Sequence, residues 1–109
     1  MYNDKKIAIV VPCHNEQSQI KLVVDGIPDY IDKIVIVDDK SKDNTFEIIQ
    51  DLELKNDRII SILHENNQGV GAAIATGYKW SRDNNIDVAV VMAGDNQMDP
   101  GDLPAILDP

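Results

Sequence analysis

Four short runs of aliphatic, mostly β-branched residues constrain this chain more than any other feature. They occupy residues 7–11, 34–37, 59–63 and 88–92. None alternates polar with apolar along its length, so none reads as a strand with one wet face. A short apolar run without polar alternation reads as a strand covered on both faces, the pattern of a parallel sheet. Between the runs lie segments with helical spacing. The first covers about 18–26, with Ile20, Val23, Val24 and Ile27 on one side. The second covers about 44–54, with Phe46, Ile48, Ile49 and Leu52 apolar, and the third about 69–82, where Ala72, Ala73 and Ala75 suit close approach to a sheet. A fourth helix is expected to begin near Asp102, which would cap it ahead of Leu103 and Pro104. The alternation β-α-β-α-β-α-β-α predicts an α/β fold: a Rossmann-like parallel sheet of strand order 3-2-1-4, with helices on both faces and right-handed crossovers.

The 109 residues suit one domain, taken as 1–109, and 43% apolar content supplies a core. Ten Lys and Arg against 19 Asp and Glu give a net charge of −9. That balance excludes a nucleic-acid binder, whose affinity comes largely from basic residues, and a basic helix lying on anionic lipid. The apolar runs are too short to span a bilayer, and the first six residues lack the apolar segment of a signal peptide. The single cysteine, Cys13, permits no internal disulfide and fits a reducing compartment, so a cytoplasmic location is expected. A doubly wound sheet normally continues past a fourth strand. The sequence stops at Leu107-Asp108-Pro109, after the fourth strand and one expected turn of helix, and so reads as the first half of something larger.

Ligands of open parallel sheets bind beyond the carboxyl ends of the strands. The segments there are Pro12-Cys-His-Asn-Glu16, Asp38-Asp-Lys-Ser-Lys-Asp-Asn-Thr45, His64-Glu-Asn-Asn-Gln-Gly69 and Ala93-Gly-Asp-Asn-Gln-Met-Asp-Pro100. Seven of the 19 acids (Glu16, Asp38, Asp39, Glu65, Asp95, Asp99 and Asp102) fall on this edge, with only Lys40 and Lys42 beside them. Like charges so gathered need an offset, and a divalent ion with oxygen ligands, Mg²⁺ or Mn²⁺ rather than zinc, would supply one and attract a diphosphate. Helix capping accounts for Asp43 or Asn44 and for Asp102. It does not account for Asp38 and Asp39, which stand at the strand end several residues before the next helix.

Other nucleotide signatures are missing. There is no G-x-G-x-x-G after the first strand and no G-x-x-x-x-G-K-[ST]. The string Gly69-Val-Gly71 opens a helix and reads as close helix–sheet packing. His14 and His64 form no metal pair on one helix, and Cys13 has no ligand or base at useful spacing, so it reads as a small buried side chain. Tyr78 and Trp80 read as packing residues.

The segments Val11-Pro-Cys-His-Asn-Glu16, Val37-Asp-Asp-Lys-Ser-Lys-Asp-Asn-Thr45, Asn67-Gln-Gly-Val-Gly-Ala-Ala73 and Met92-Ala-Gly-Asp-Asn-Gln-Met-Asp-Pro100 together resemble the GT-A glycosyltransferases of family 2. Within that family they resemble the branch of dolichyl-phosphate mannose synthases and related polyprenyl-phosphate sugar transferases. The resemblance runs along nearly the whole chain and implies the N-terminal, nucleotide-binding half of a GT-A fold. It implies a nucleotide-diphosphate sugar, GDP- or UDP-linked, and Mg²⁺ or Mn²⁺. Pro12, His14, Glu16, Val37 and Asp39 would line the nucleoside pocket, with Asp39 accepting from a base N–H and Glu16 from ribose hydroxyls. The family's D-x-D-x-Q stretch falls on Ala93 to Gln97, with Ala93 and Gly94 beside the diphosphate and Asp95 and Gln97 toward the metal. Ala93 replaces the first acid, a departure for which Asp99 could compensate; Asp99-Pro100 also reads as a turn into the next helix.

The implied function is sugar transfer to an acceptor, in this branch often a polyprenyl phosphate, by a parent protein at the cytoplasmic face of the membrane. The acceptor site and catalytic base would lie beyond Pro109, so no base is assigned and the 109-residue chain alone is expected to have little or no transferase activity. The second expectation is a non-catalytic nucleotide- and metal-binding module. A third, a phosphoacceptor signalling domain, draws on the paired Asp38-Asp39, but that fold places its acid pair after the first strand. The fourth strand would be an apolar edge, so self-association across it is expected.

Overall fold

The four apolar runs form one parallel sheet, and the computed structural model of the chain describes it through residues 5–15 and 17–92. Strand β1 is Ile7–Cys13, β2 Lys33–Asp38, β3 Ile59–Leu63 and β4 Val88–Val91, in the spatial order β3-β2-β1-β4. Every pairing is parallel. The expected fold class and strand order are those observed. The expected fourth helix near Asp102 lies outside the described residues.

β1 and β2 run further than their apolar cores. β1 takes in Pro12 and Cys13, and β2 takes in Asp38, which pairs with Cys13. Pro12 can sit in this central strand because of its parity. The carbonyl of Val10 accepts from the N–H of Met92 at 2.9 Å, so even-numbered residues of β1 turn their backbone groups toward β4. The β1–β4 register ends at Val10↔Val91, and the missing N–H of Pro12 falls just past it.

Successive residues along β1 and β2 face opposite layers, as strand geometry requires. Ile7, Ile9, Val11, Cys13, Ile34 and Ile36 join a core with α1 (Ile20–Asp25) and α2 (Thr45–Lys55). Ala8, Val35 and Val37 join a smaller core with Ala73 and Trp80 of α3 (Val70–Asp83) on the other face. Cys13 is buried, as expected of a small core side chain, and Trp80 packs against the second core, while Tyr78 is largely exposed. α1 is shorter than its sequence pattern: Gln17 to Gln19 form turns, and the chain leaves the helix at Gly26, whose N–H donates to the Leu22 carbonyl.

Close approach of helix to sheet does occur in α3, at a glycine other than those read for it. A Cβ added at Gly69 or Gly71 would meet nothing within 4 Å, whereas one at Gly77 would run into the side chain of Val10. Gly69 is needed for a different reason. Its φ of +96° is open to glycine and strained for other residues. The chain passes from β1 outward to β3 and then returns across the sheet to β4, so the strand order reverses beside β1. That reversal is where a sheet of this kind opens a crevice at its carboxyl edge.

Candidate functional site

The carboxyl edge is organised around Asp39. Its main-chain N–H extends the β1–β2 ladder by donating to the Cys13 carbonyl at 2.9 Å, and only 4% of the residue is exposed. Its carboxylate reaches across to the loop after β3. Oδ1 accepts from the Gln68 N–H and from Nδ1 of His64, each at 2.8 Å, and Oδ2 accepts from the Gly69 N–H at 2.8 Å. Gly69 is the N-cap residue of α3. Asp39 therefore does satisfy helix-entry donors, but those of a helix 30 residues further on rather than of the next one.

The loop after β1 is tied to the same residue. His14 donates from Nδ1 to the Asp39 carbonyl at 3.0 Å, which leaves Nε2 as the acceptor for the Asn67 amide at 3.3 Å. Asn15 and Lys40 both adopt positive φ, 56° and 59°, so each loop turns sharply as it leaves its strand. The Asn15 N–H donates to Ser41 Oγ at 2.9 Å, and Asn15 Oδ1 accepts from the Lys42 N–H at 2.8 Å. Gln17 Oε1 accepts from the Asn44 N–H at 3.0 Å, and Asp43 Oδ2 from the Gln17 N–H at 3.4 Å.

The remaining acids of the second loop are also engaged. Asp38, fully buried, accepts from the Ser41 hydroxyl and from the Ser41 N–H. Asp43 Oδ1 accepts from the Thr45 N–H at 3.0 Å and from the Thr45 hydroxyl, so Asp43 supplies the capping oxygen for α2; Asn44, at the N-cap position, makes no side-chain cap bond. The charge offset expected from a metal is thus made, at Asp38, Asp39 and Asp43, by N–H and O–H donors. Among the described residues no group of three or more His, Cys, Asp or Glu could hold a metal ion.

These bonds set the acid response. Burial by itself raises the Asp39 carboxyl, but the N–H groups of Gln68 and Gly69 together with the bond and charge of His64 outweigh it and hold the group below its ordinary 3.8. Burial likewise raises Asp43, and the Thr45 hydroxyl and N–H with the Gln17 N–H bring it below the same value. A carboxyl depressed on folding adds stability that is complete above its unfolded value and is lost as pH falls through the folded one. The urea midpoint is therefore expected to hold from neutrality down to about 3.8 as far as these two groups go, and to fall below it. In Asp43→Asn the acid fall should shrink; an identical fall would remove Asp43 from this account.

Of the residues read as nucleoside-binding, His14 is exposed at the edge and Asp39 lies beneath it, while the side chains of Pro12 and Val37 are buried, Val37 within the α3 core. Glu16, Ala93, Gly94, Asp95 and Gln97 lie outside the described residues. His64, Thr76 and Gly69 were not singled out for this centre. The only sequence signal for His64 was its place directly after the third apolar run.

An open parallel sheet of order 3-2-1-4 with its polar loops gathered at the carboxyl edge is a Rossmann-like α/β arrangement. The sequence matches glycosyl transferase family 2 over residues 8–109, and the chain belongs to that family. It is 38% identical over 119 residues to a UDP-N-acetylglucosamine–dolichyl-phosphate N-acetylglucosaminyltransferase of Methanococcus voltae, covering 97% of this chain and 47% of the relative. It is 27% identical to a polyprenol monophosphomannose synthase of Mycolicibacterium smegmatis, covering 95% and 40%. The chain spans less than half the length of these relatives. The fold is shared with a mannosyltransferase from Pyrobaculum calidifontis solved in complex with GDP-Man and Mn²⁺ (TM-score 0.74, 21% identity, 86% of this chain and 28% of that one). It is shared too with glucosyl-3-phosphoglycerate synthase from Mycobacterium tuberculosis in complex with UDP (TM-score 0.70, 24% identity, 97% and 40%).

Proposed function

We propose that this chain forms the donor-binding part of a glycosyltransferase that moves a sugar from a UDP- or GDP-linked donor to a polyprenyl-phosphate acceptor at the cytoplasmic face of a membrane. The names of the relatives support the acceptor class. Neighbours solved with Mn²⁺ support a divalent ion, Mg²⁺ or Mn²⁺. In this reading Asp95 and Gln97 would hold the ion and Ala93 and Gly94 would lie along the diphosphate. The ion's chemistry would be to stabilise the diphosphate as it leaves.

The observation that carries the donor reading is the state of the Asp39 carboxylate. Each carboxylate oxygen accepts about two hydrogen bonds. Among the described residues Oδ1 accepts two and Oδ2 one, which leaves one acceptor position there, on Oδ2 at the sheet's carboxyl edge. A base with a ring N–H on its pairing edge, uracil or guanine, can fill it. Adenine and cytosine present a lone pair at the corresponding place. His14 and Glu16 would flank the nucleoside.

Calorimetric titration of the chain with UDP, GDP, ADP and CDP, each with Mn²⁺, tests this. UDP or GDP should bind at least about tenfold more tightly than ADP and CDP, a difference of about 1.4 kcal/mol, and Asp39→Asn should erase the preference. Asp95→Ala should remove the dependence on Mn²⁺. Binding that is indifferent to the base and untouched by both substitutions would rule out the assigned site.

A further inference from the structure

His64 is the first residue past β3, 7% exposed, and both ring nitrogens are engaged. Nδ1 lies 2.8 Å from Asp39 Oδ1, and Nε2 lies 2.8 Å from Thr76 Oγ1 on α3. The Thr76 hydroxyl in turn lies 2.9 Å from the Ala72 carbonyl, one helical turn back. An ionised carboxylate only accepts, so Nδ1 of His64 donates to Asp39, while the Thr76 hydroxyl holds Nε2 from the α3 side.

The geometry points to His64 as a positioning residue: it clamps Oδ1 of Asp39 to α3 and so presents Oδ2 to the donor base. This role rests on the donor reading above. The physical basis is the two-sided anchoring. The Gln68 and Gly69 N–H groups hold the carboxylate from the loop side, but a carboxylate can still turn about its last torsion. The His64 contact fixes that torsion and adds a charge-assisted bond to a group removed from water. The main chain of His64 is itself fixed, since its N–H donates to the Asp38 carbonyl at 2.9 Å. The ring is therefore held by β2, by the Asp39 carboxylate and by α3 at once.

The test has one arm that needs no nucleotide. Nitrogen-detected NMR of the ¹⁵N-labelled chain at neutral pH is expected to show a proton on Nδ1 of His64. A bare Nδ1 would overturn the inference. The Gln68 and Gly69 amide protons report the Asp39 orientation. They should keep their shifts in His64→Asn, whose amide can donate from near the Nδ1 position, and move in His64→Leu. Shifts unchanged in His64→Leu would also overturn it. If His64→Leu does not fold, Thr76→Val serves: it frees the ring from α3, and the Gln68 and Gly69 amide protons should shift. Unchanged shifts would refute the clamp.

In the binding arm His64→Leu should weaken UDP or GDP by about tenfold and His64→Asn should restore most of it. A wild-type chain with the NMR pattern above that binds neither nucleotide would overturn the donor reading, and the positioning role with it, while binding that His64→Leu leaves intact overturns the positioning role alone.

Discussion

Asp39→Ala is expected to cost about 3 kcal/mol of folding stability and to abolish nucleotide binding. The substitution removes the acceptor of three donors at once: the Gln68 N–H, the Gly69 N–H and the His64 ring. Each buried donor left without a partner costs about 1–3 kcal/mol. The loop after β3 is largely exposed, so water can reach Gln68 and Gly69 and recover part of the loss; His64 is enclosed and cannot. That places the expected cost near the low end of the combined range. Urea unfolding at neutral pH measures it. Asp39→Asn should lose less, because it keeps one oxygen acceptor, yet it should bind nucleotide no better than the alanine variant. Its NH₂ faces either the Gly69 N–H and the ligand position or, flipped, the Gln68 N–H and the His64 ring, so one set of donors is always opposed. A loss under about 1 kcal/mol for Asp39→Ala would mean that the loop holds its shape without the carboxylate.

Much of this arrangement was legible from the residue order. Short, mostly β-branched apolar runs read as strands covered twice, which β1 and β2 are and the edge strands β3 and β4 only in part, and their alternation with helical segments points to a parallel sheet and its polar edge. The pair Asp38-Asp39 stood out because no local helix explained it. What the order could not convey was the reach of the bonds. Asp39 meets residues 25 and 30 positions away, and Asn15 meets Ser41 and Lys42, 26 and 27 positions away. Such contacts depend on which strand ends become neighbours and how sharply the chain turns at Asn15 and Lys40, neither of which has a local pattern. The metal expected to offset the acids illustrates the same limit. Donors from the loop after β3 serve that purpose at Asp39, and the Ser41 N–H and hydroxyl of its own loop at Asp38, and the sequence shows acids far more readily than it shows such donors.

Helix–sheet contact was read with the right physics at the wrong glycine. Gly69 and Gly71 begin α3, where the helix still stands clear of the sheet; Gly77 lies two turns later, directly over β1. Gly77→Ala is therefore expected to destabilise the fold, although alanine is worth about 1 kcal/mol more than glycine inside a helix. The new methyl would overlap Cγ1 of Val10 and lie 3.0 and 3.1 Å from its Cγ2 and Cβ. Val10 cannot yield easily, being β-branched, fully buried and on a strand paired on both sides. Overpacking of this kind costs about 1–3 kcal/mol, enough to reverse the helix gain, and Gly77→Val should exceed it and leave little folded protein. The decisive measurement is a double-mutant cycle. Val10→Ala alone opens a cavity and destabilises; combined with Gly77→Ala it removes the overlapping methyls and lets the new one fill part of the space. The pair should lose less than the two single losses added together, by about 1–2 kcal/mol. Strictly additive losses, or a Gly77→Ala variant more stable than the parent, would mean that α3 can stand off from β1 without cost and that the glycine is not what brings them together.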